Sequence, residues 1–83
     1  MSESDSRILQ GIRDVAREHL GVSKPEDILL ETDLYEALKL DSLRLLTLVA
    51  ELENRFKVIL EEGDEVDLKT VADLVMLLER RGA

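Results

Sequence analysis

Ser42 stands between Asp41 and Leu43, where an irregular stretch gives way to an apolar run with helical spacing over 43–56. A hydroxyl at the start of a helix meets backbone N–H groups that lack partners inside the helix, in a field that favours negative charge. Two chemistries suit that position. The hydroxyl can be esterified, with an attached phosphate stabilised in place. It can instead act as the N-cap, accepting a hydrogen bond from an N–H two or three residues on, typically worth about 1 kcal/mol. The three residues Asp-Ser-Leu do not choose between these, so the surrounding elements must.

Other chemistry finds little support. No nucleophile, base and orienting group can be assembled with a recognisable spacing, so the chain does not read as an enzyme. His19 is the only imidazole, falls near a helix end as a surface or capping residue, and cannot build a metal site by itself. The absence of cysteine excludes a thiolate nucleophile, a Cys-ligated zinc site and a disulfide framework. The acids Glu61, Glu62, Asp64, Glu65 and Asp67 lack the spacing of an EF-hand loop and read as a solvated patch, so no metal is expected.

The 83 residues are read as a single domain, which at this size buries only about 60% of the surface its unfolded chain exposes. Eleven basic and nineteen acidic side chains leave a net charge of −8, which repels nucleic acid and anionic membrane surfaces and favours basic protein partners. With 2% aromatic residues there is no platform on which bases could stack. No apolar stretch approaches the ~20 residues of a membrane span. The opening Met1-Ser2-Glu3-Ser4-Asp5 is acidic and polar, unlike a secretory leader, so a cytoplasmic, monomeric protein is expected.

Hydrophobic spacing is helical almost throughout, and an all-α fold follows. Helices are expected at about 4–20, 42–56, 64–69 and 70–81. In the first, Ile8, Leu9, Ile12, Val15, Ala16 and Leu20 recur at three- and four-residue steps, and Gly21 supplies a stop. In the second long helix, Leu45, Leu48, Val49, Leu52 and Phe56 make one stripe, with Phe56 as a core anchor. The last opens with Thr70 and Asp73, an Asp variant of the capping box, and closes with Arg80 and Arg81, which suit the negative end of its dipole. The expected core comprises Leu9, Ile12, Val15, Leu48, Leu52, Phe56, Val71, Leu74 and Leu78. Residues 21–41 are long for a structureless connection and must be pinned by Ile28, Leu30, Leu34 and Leu38, with a short turn at Pro25. A break at Gly63 leads into one brief helical turn.

On these residues the whole chain resembles the acyl carrier protein family, which includes peptidyl and aminoacyl carriers. Ser42, within Leu40-Asp41-Ser42-Leu43, falls on the family's attachment serine at the start of a helix. Leu48, Leu52, Phe56 and Leu60 match its core pattern, and Leu68 with Thr70-Val71 match the entry to its last helix. The resemblance implies a four-helix bundle with three long helices, one short helix and a long first loop. It also implies that a separate magnesium-dependent phosphopantetheinyl transferase esterifies Ser42 with 4′-phosphopantetheine from coenzyme A. The thiol of that arm would carry an acyl group as a thioester. The other partners implied are an acyl- or aminoacyl-loading ligase and acyl-transfer enzymes.

Departures from the family pattern qualify that expectation. Lys39 stands where many carriers have Gly; with Asp41 it flanks the attachment point, where it can reach a diester phosphate or extend into solvent. Arg44 stands where fatty-acid carriers usually show an acid that meets basic partner residues. From Ser42 to Phe56, Arg44 and Arg55 balance Glu51 and Glu53, so this helix is formally neutral in an acidic chain. Charge complementarity sets encounter rate and partner choice, so a dedicated pathway carrier is favoured over a general fatty-acid-synthesis carrier, the pathways implied by the resemblance being fatty acid biosynthesis and polyketide or secondary-metabolite biosynthesis. Leu43, Leu46 and Ala50 lie off the core stripe at family positions that face partner enzymes, Leu43 and Leu46 being alternatively packed against the loops. An aminoacyl or peptidyl carrier remains the nearest competitor, and an unmodified helical interaction module using Ser42 as a cap the more distant one. The Leu- and Val-rich interior suggests that an acyl chain can be held between helices.

Overall fold

The computed structural model describes residues 3–83 and, among these, contains helices joined by turns and irregular segments, with one isolated antiparallel bridge between Asp33 and Thr70 and no strand; Met1 and Ser2 of the acidic N-terminal stretch lie outside the described residues. Helix α1 spans Glu3–His19, and the face carrying Ile8, Leu9, Ile12, Val15 and Ala16 is buried along its length. It ends because Gly21 turns to φ 67°, which lets the Val22 N–H reach back to the Ala16 carbonyl at 3.1 Å. A residue without Cβ takes that left-handed conformation at no steric cost.

The connection that follows is more ordered than its sequence suggests. Pro25–Asp27 closes as one 3₁₀ turn, and a five-residue helix, α2, spans Leu34–Leu38 with Asp33 as its N-cap. This is the short helix of the bundle, and it lies inside the stretch that reads as the long first loop. Ile28, Leu34 and Leu38 are buried and Leu30 is half-buried, so the four residues expected to pin the connection do so. The Arg13 guanidinium on α1 adds two bonds to the Ile28 carbonyl, at 2.7 and 3.0 Å.

Helix α3 spans Ser42–Phe56 and buries Leu48 and Leu52; Lys57 stops it with a left-handed φ of 56°. Beyond Gly63, residues Asp64–Asp67 form a 3₁₀ turn rather than an α-helix. Helix α4 spans Val71–Arg80 and opens with a complete capping box between Thr70 and Asp73. Its first N–H groups have no partner inside the helix, and the connection before α2 supplies two: Val71 donates to Thr32 O at 2.9 Å and Ala72 to Leu30 O at 2.8 Å. That exchange anchors the long connection to the start of α4.

Helix α1 lies against both α3 and α4. Ile8 and Ile12 of α1, Leu48 and Leu52 of α3 and Leu74 and Leu78 of α4 belong to one buried cluster, which Ile28, Leu34 and Leu38 of the connection join. The radius of gyration, 11.3 Å, is close to the about 12 Å of a compact chain of this length. Phe56 departs from its expected place as a core anchor. It is half-buried at the last turn of α3, with its ring against Gly11 and the Arg7 guanidinium 5.9 Å from the ring centroid. The aliphatic side chains fill the centre, leaving the one phenylalanine at the rim.

Candidate functional site

The turn that presents Ser42 is three residues long, 39–41, between α2 and α3. Lys39 makes the reversal possible by adopting φ 51°, ψ 50° as the C-cap of α2, with its side chain exposed. Leu40 tucks partly into the core and its N–H bonds Tyr35 O at 2.9 Å. Asp41 is extended, and its Oδ1 accepts from the Arg44 N–H at 2.8 Å. Asp41 is therefore the N-cap. Ser42 is the first helical residue, and the alternative in which its hydroxyl serves as the cap is corrected: the acid immediately before it takes that role. Ser42 is exposed, and among the described residues no hydrogen bond holds its hydroxyl.

Arg44 folds inward. Its Nη2 donates to Leu38 O and to Leu20 O, each at 2.8 Å, and its Nε to Leu38 O at 3.2 Å. These carbonyls close α2 and the end of α1, the negative ends of both dipoles, where a cation is stabilised. One guanidinium thus ties the first turn of α3 to the ends of two other helices. A cation in a helix's first turn opposes that helix's own dipole, and this is the signal that could have pointed to a partner elsewhere in the fold.

The remaining charges of α3 are also engaged within the protein. Arg55 meets Asp14 at 2.7 Å, His19 meets Glu51 at 3.3 Å, and a Glu53 oxygen accepts from the Leu60 N–H at 2.9 Å. Beside Ser42 α3 presents an apolar stripe outward, while Asn54 and Arg55 are exposed near its C-terminal end. Leu43 is 73% exposed and Leu46 67%, and Ala50 is exposed on the same side, one helical stripe starting beside Ser42.

On the other flank of Ser42 a cavity of about 400 Å³ opens between α3 and α4. Ser42 stands among its lining residues; Leu45, Val49 and Leu52 form one wall, Leu74 and Leu77 the other, and Leu60 and Leu68 of the intervening segment close it. Glu61, Glu62, Asp64 and Glu65 ring it on the side of that segment. In the sequence Leu45, Val49 and Leu52 share the core stripe, and spacing does not separate residues that border a cavity from those in solid packing. Arg81 does more than complement the α4 dipole. The structure joins Arg81 to Asp64 through two bonds of 2.7 and 3.0 Å and to Glu61 at 2.7 Å. The Arg81 guanidinium, helped by the Glu61 N–H, holds the Asp64 carboxyl below the usual carboxylate range.

An exposed, uncommitted hydroxyl on a first helical turn, bordering an apolar cavity, suits a phosphodiester-linked arm that carries an apolar group. Residues 10–78 match the family model described as the phosphopantetheine attachment site. The chain is 39% identical over 72 residues to the acyl carrier protein of Lactococcus lactis subsp. cremoris (strain MG1363), covering 87% of this chain and 93% of that one. It is 34% identical over 70 residues to the acyl carrier protein of Chlamydia trachomatis serovar D, covering 84% and 90%. To that of Kocuria rhizophila it is 31% identical over 80 residues, covering 96% and 98%. An all-helical bundle that frees a serine at a helix start, matched along most of its length by these relatives, belongs to the acyl carrier protein family, whose prosthetic group is phosphopantetheine.

Proposed function

We propose that Ser42 is the attachment residue for 4′-phosphopantetheine and that the chain carries acyl groups as thioesters on that arm, performing no catalysis itself. The observation that supports this most directly is the Ser42 hydroxyl, exposed and released from capping by Asp41. When bound, the arm supplies the thiol on which the acyl group travels. The chain's residues supply the rest. The first turn of α3 offers free N–H groups and its dipole to the phosphate, Arg44 holds that turn rigid against α1 and α2, and exposed Lys39 stands three residues before Ser42 within reach of the diester.

The partners are a phosphopantetheinyl transferase, a loading ligase and acyl-transfer enzymes, acting in the cytoplasm on a monomeric carrier. Their docking surface on α3 is the stripe of Leu43, Leu46 and Ala50, with Arg44 contributing from within by fixing the helix start. Because every charged side chain of α3 is engaged within the protein, the electrostatic steering usual for general fatty-acid carriers is weak here, which favours a dedicated pathway carrier with apolar docking. The cavity between α3 and α4 shelters the acyl chain in transit.

The intact mass of the chain, after incubation with coenzyme A and a broad-specificity phosphopantetheinyl transferase, is the deciding experiment. One phosphopantetheine addition is expected, lost in Ser42→Ala; no addition to the folded chain would leave an unmodified interaction module. Loading assays with acyl and aminoacyl substrates then separate an acyl from an aminoacyl or peptidyl carrier. Methyl spectra of acylated and unacylated forms test the sheltering: unchanged signals from Leu52, Leu74 and Leu77 would reject it.

A further inference from the structure

We propose that Arg81 is a positioning residue that fastens the segment 60–68 as a strap over the cavity beside Ser42, and so sets how well a carried chain is shielded from solvent. The proposal rests on the reading that the cavity shelters that chain. The strap supplies Leu60 and Leu68 to the cavity wall, yet both are only half-buried, and Val66 between them is exposed. Its single 3₁₀ turn, Asp64–Asp67, has no side-chain cap and follows Gly63 at φ 95°. Apolar packing and local structure therefore hold it weakly.

Side-chain bonds hold it at two edges. On the α3 side the Leu60 N–H donates to Glu53 at 2.9 Å. On the α4 side Arg81, the C-cap of that helix, forks onto both oxygens of Asp64 and meets Glu61 through its remaining nitrogen. Asp64 in turn accepts from the Glu61 N–H at 2.8 Å, so the guanidinium grips a closed turn rather than a loose side chain. A two-bonded Arg–carboxylate pair combines strength with a fixed direction, and here Asp64 is only 14% exposed. The Arg81 N–H bonds Leu77 O at 3.0 Å, which ties the fastening point to a residue of the cavity wall. The fastening on the α4 side can open without breaking a helix, because it consists of side chains only, Arg81 on one part and Asp64 with Glu61 on the other.

The test uses the phosphopantetheinylated chain loaded with an octanoyl or an acetyl group, with hydroxylamine cleavage of the thioester as readout. The wild-type chain is expected to cleave octanoyl more slowly than acetyl. Arg81→Gln is expected to raise octanoyl cleavage about three- to fivefold, the change that fits loss of a partly exposed ion-pair network, and to leave acetyl cleavage as it was. Asp64→Asn is expected to do the same from the other side, and the double variant to match either single one. Asp67→Asn, on the strap but outside both the network and the cavity lining, is the control. Octanoyl cleavage in Arg81→Gln and Asp64→Asn at the wild-type rate would overturn the strap while leaving the sheltering intact. Equal cleavage of octanoyl and acetyl in the wild-type chain would overturn both. Circular dichroism melts establish that each variant remains folded, and should Arg81→Gln melt early, Asp64→Asn carries the comparison.

Discussion

The Ser42 hydroxyl is free because the residue before it caps the helix. Asp41 binds the Arg44 N–H through Oδ1, so removing that oxygen should be felt in stability while removing the serine hydroxyl should not. Asp41→Ala is expected to cost about 1 kcal/mol in urea unfolding, and Ser42→Ala to stay within about 0.5 kcal/mol of wild type. The reverse order would mean that the serine is the cap. Lys39 sits in the left-handed region, which costs an ordinary residue about 1–2 kcal/mol and glycine almost nothing. Lys39→Gly is therefore expected to raise stability by up to about 1 kcal/mol, the extra freedom of glycine in the unfolded chain offsetting part of the gain. The same substitution tests the proposed role of the lysine: slower phosphopantetheinylation in a more stable protein would separate phosphate contact from folding.

At the scale of elements, the join between α1 and the end of α3 is set by a glycine and a ring. Gly11 is buried inside α1, where Ala would ordinarily gain about 0.5–1 kcal/mol. A Cβ there would overlap Cζ of Phe56, so the ring must leave its seat beside Arg7 and Gly11. Gly11→Ala is expected to lose stability in the wild-type chain and to gain about 0.5–1 kcal/mol in a Phe56→Ala background. A thermal double-mutant cycle reads this directly, and the same sign in both backgrounds would refute it. Because the ring is half-exposed, Phe56→Ala should itself fall below the about 3–5 kcal/mol of a fully buried aromatic.

For the whole molecule, acidity links the segments that sequence keeps apart. Asp64 is held below the ordinary carboxylate range by Arg81, and Asp73 by the N–H groups of Thr70 and Lys69. A carboxyl depressed in the folded state stabilises above its unfolded pKa of about 3.9, and that contribution disappears as pH falls through the folded value. The melting temperature is expected to drop below about pH 4, and Asp73→Asn to flatten that drop. Glu79 moves the other way, because its carboxyl shares a hydrogen bond with Asp5 across the α1–α4 junction and burial disfavours its charge. A raised folded value favours the protonated form, so its ionisation works against folding at neutral pH. Glu79→Gln is expected to melt higher than wild type at pH 7, with the two converging below about pH 4.3. A variant that melts lower at pH 7 would show that the ionised pair is not a burden.

Local information was enough for much of the molecule. Three- and four-residue apolar steps reveal α1, α3 and α4 because a helix face repeats every few residues, and Thr70 with Asp73 reveals the capping box because both partners lie within one turn. The family resemblance was legible for the same reason, resting on short motifs in register with those helices. Helix α2 escaped notice because five residues carry barely one period and its stability comes from burying Leu34 and Leu38, not from propensity. Only tertiary packing decided that Arg44 turns inward to the carbonyl of Leu20, that the single phenylalanine lies at the rim, and that Arg81 meets Asp64. These contacts join residues 17 to 45 positions apart, and no spacing rule reaches that far. The cavity beside Ser42 belongs to the same class: it is the space left between α3 and α4 once both have packed against α1, a property of helix placement that no single residue encodes.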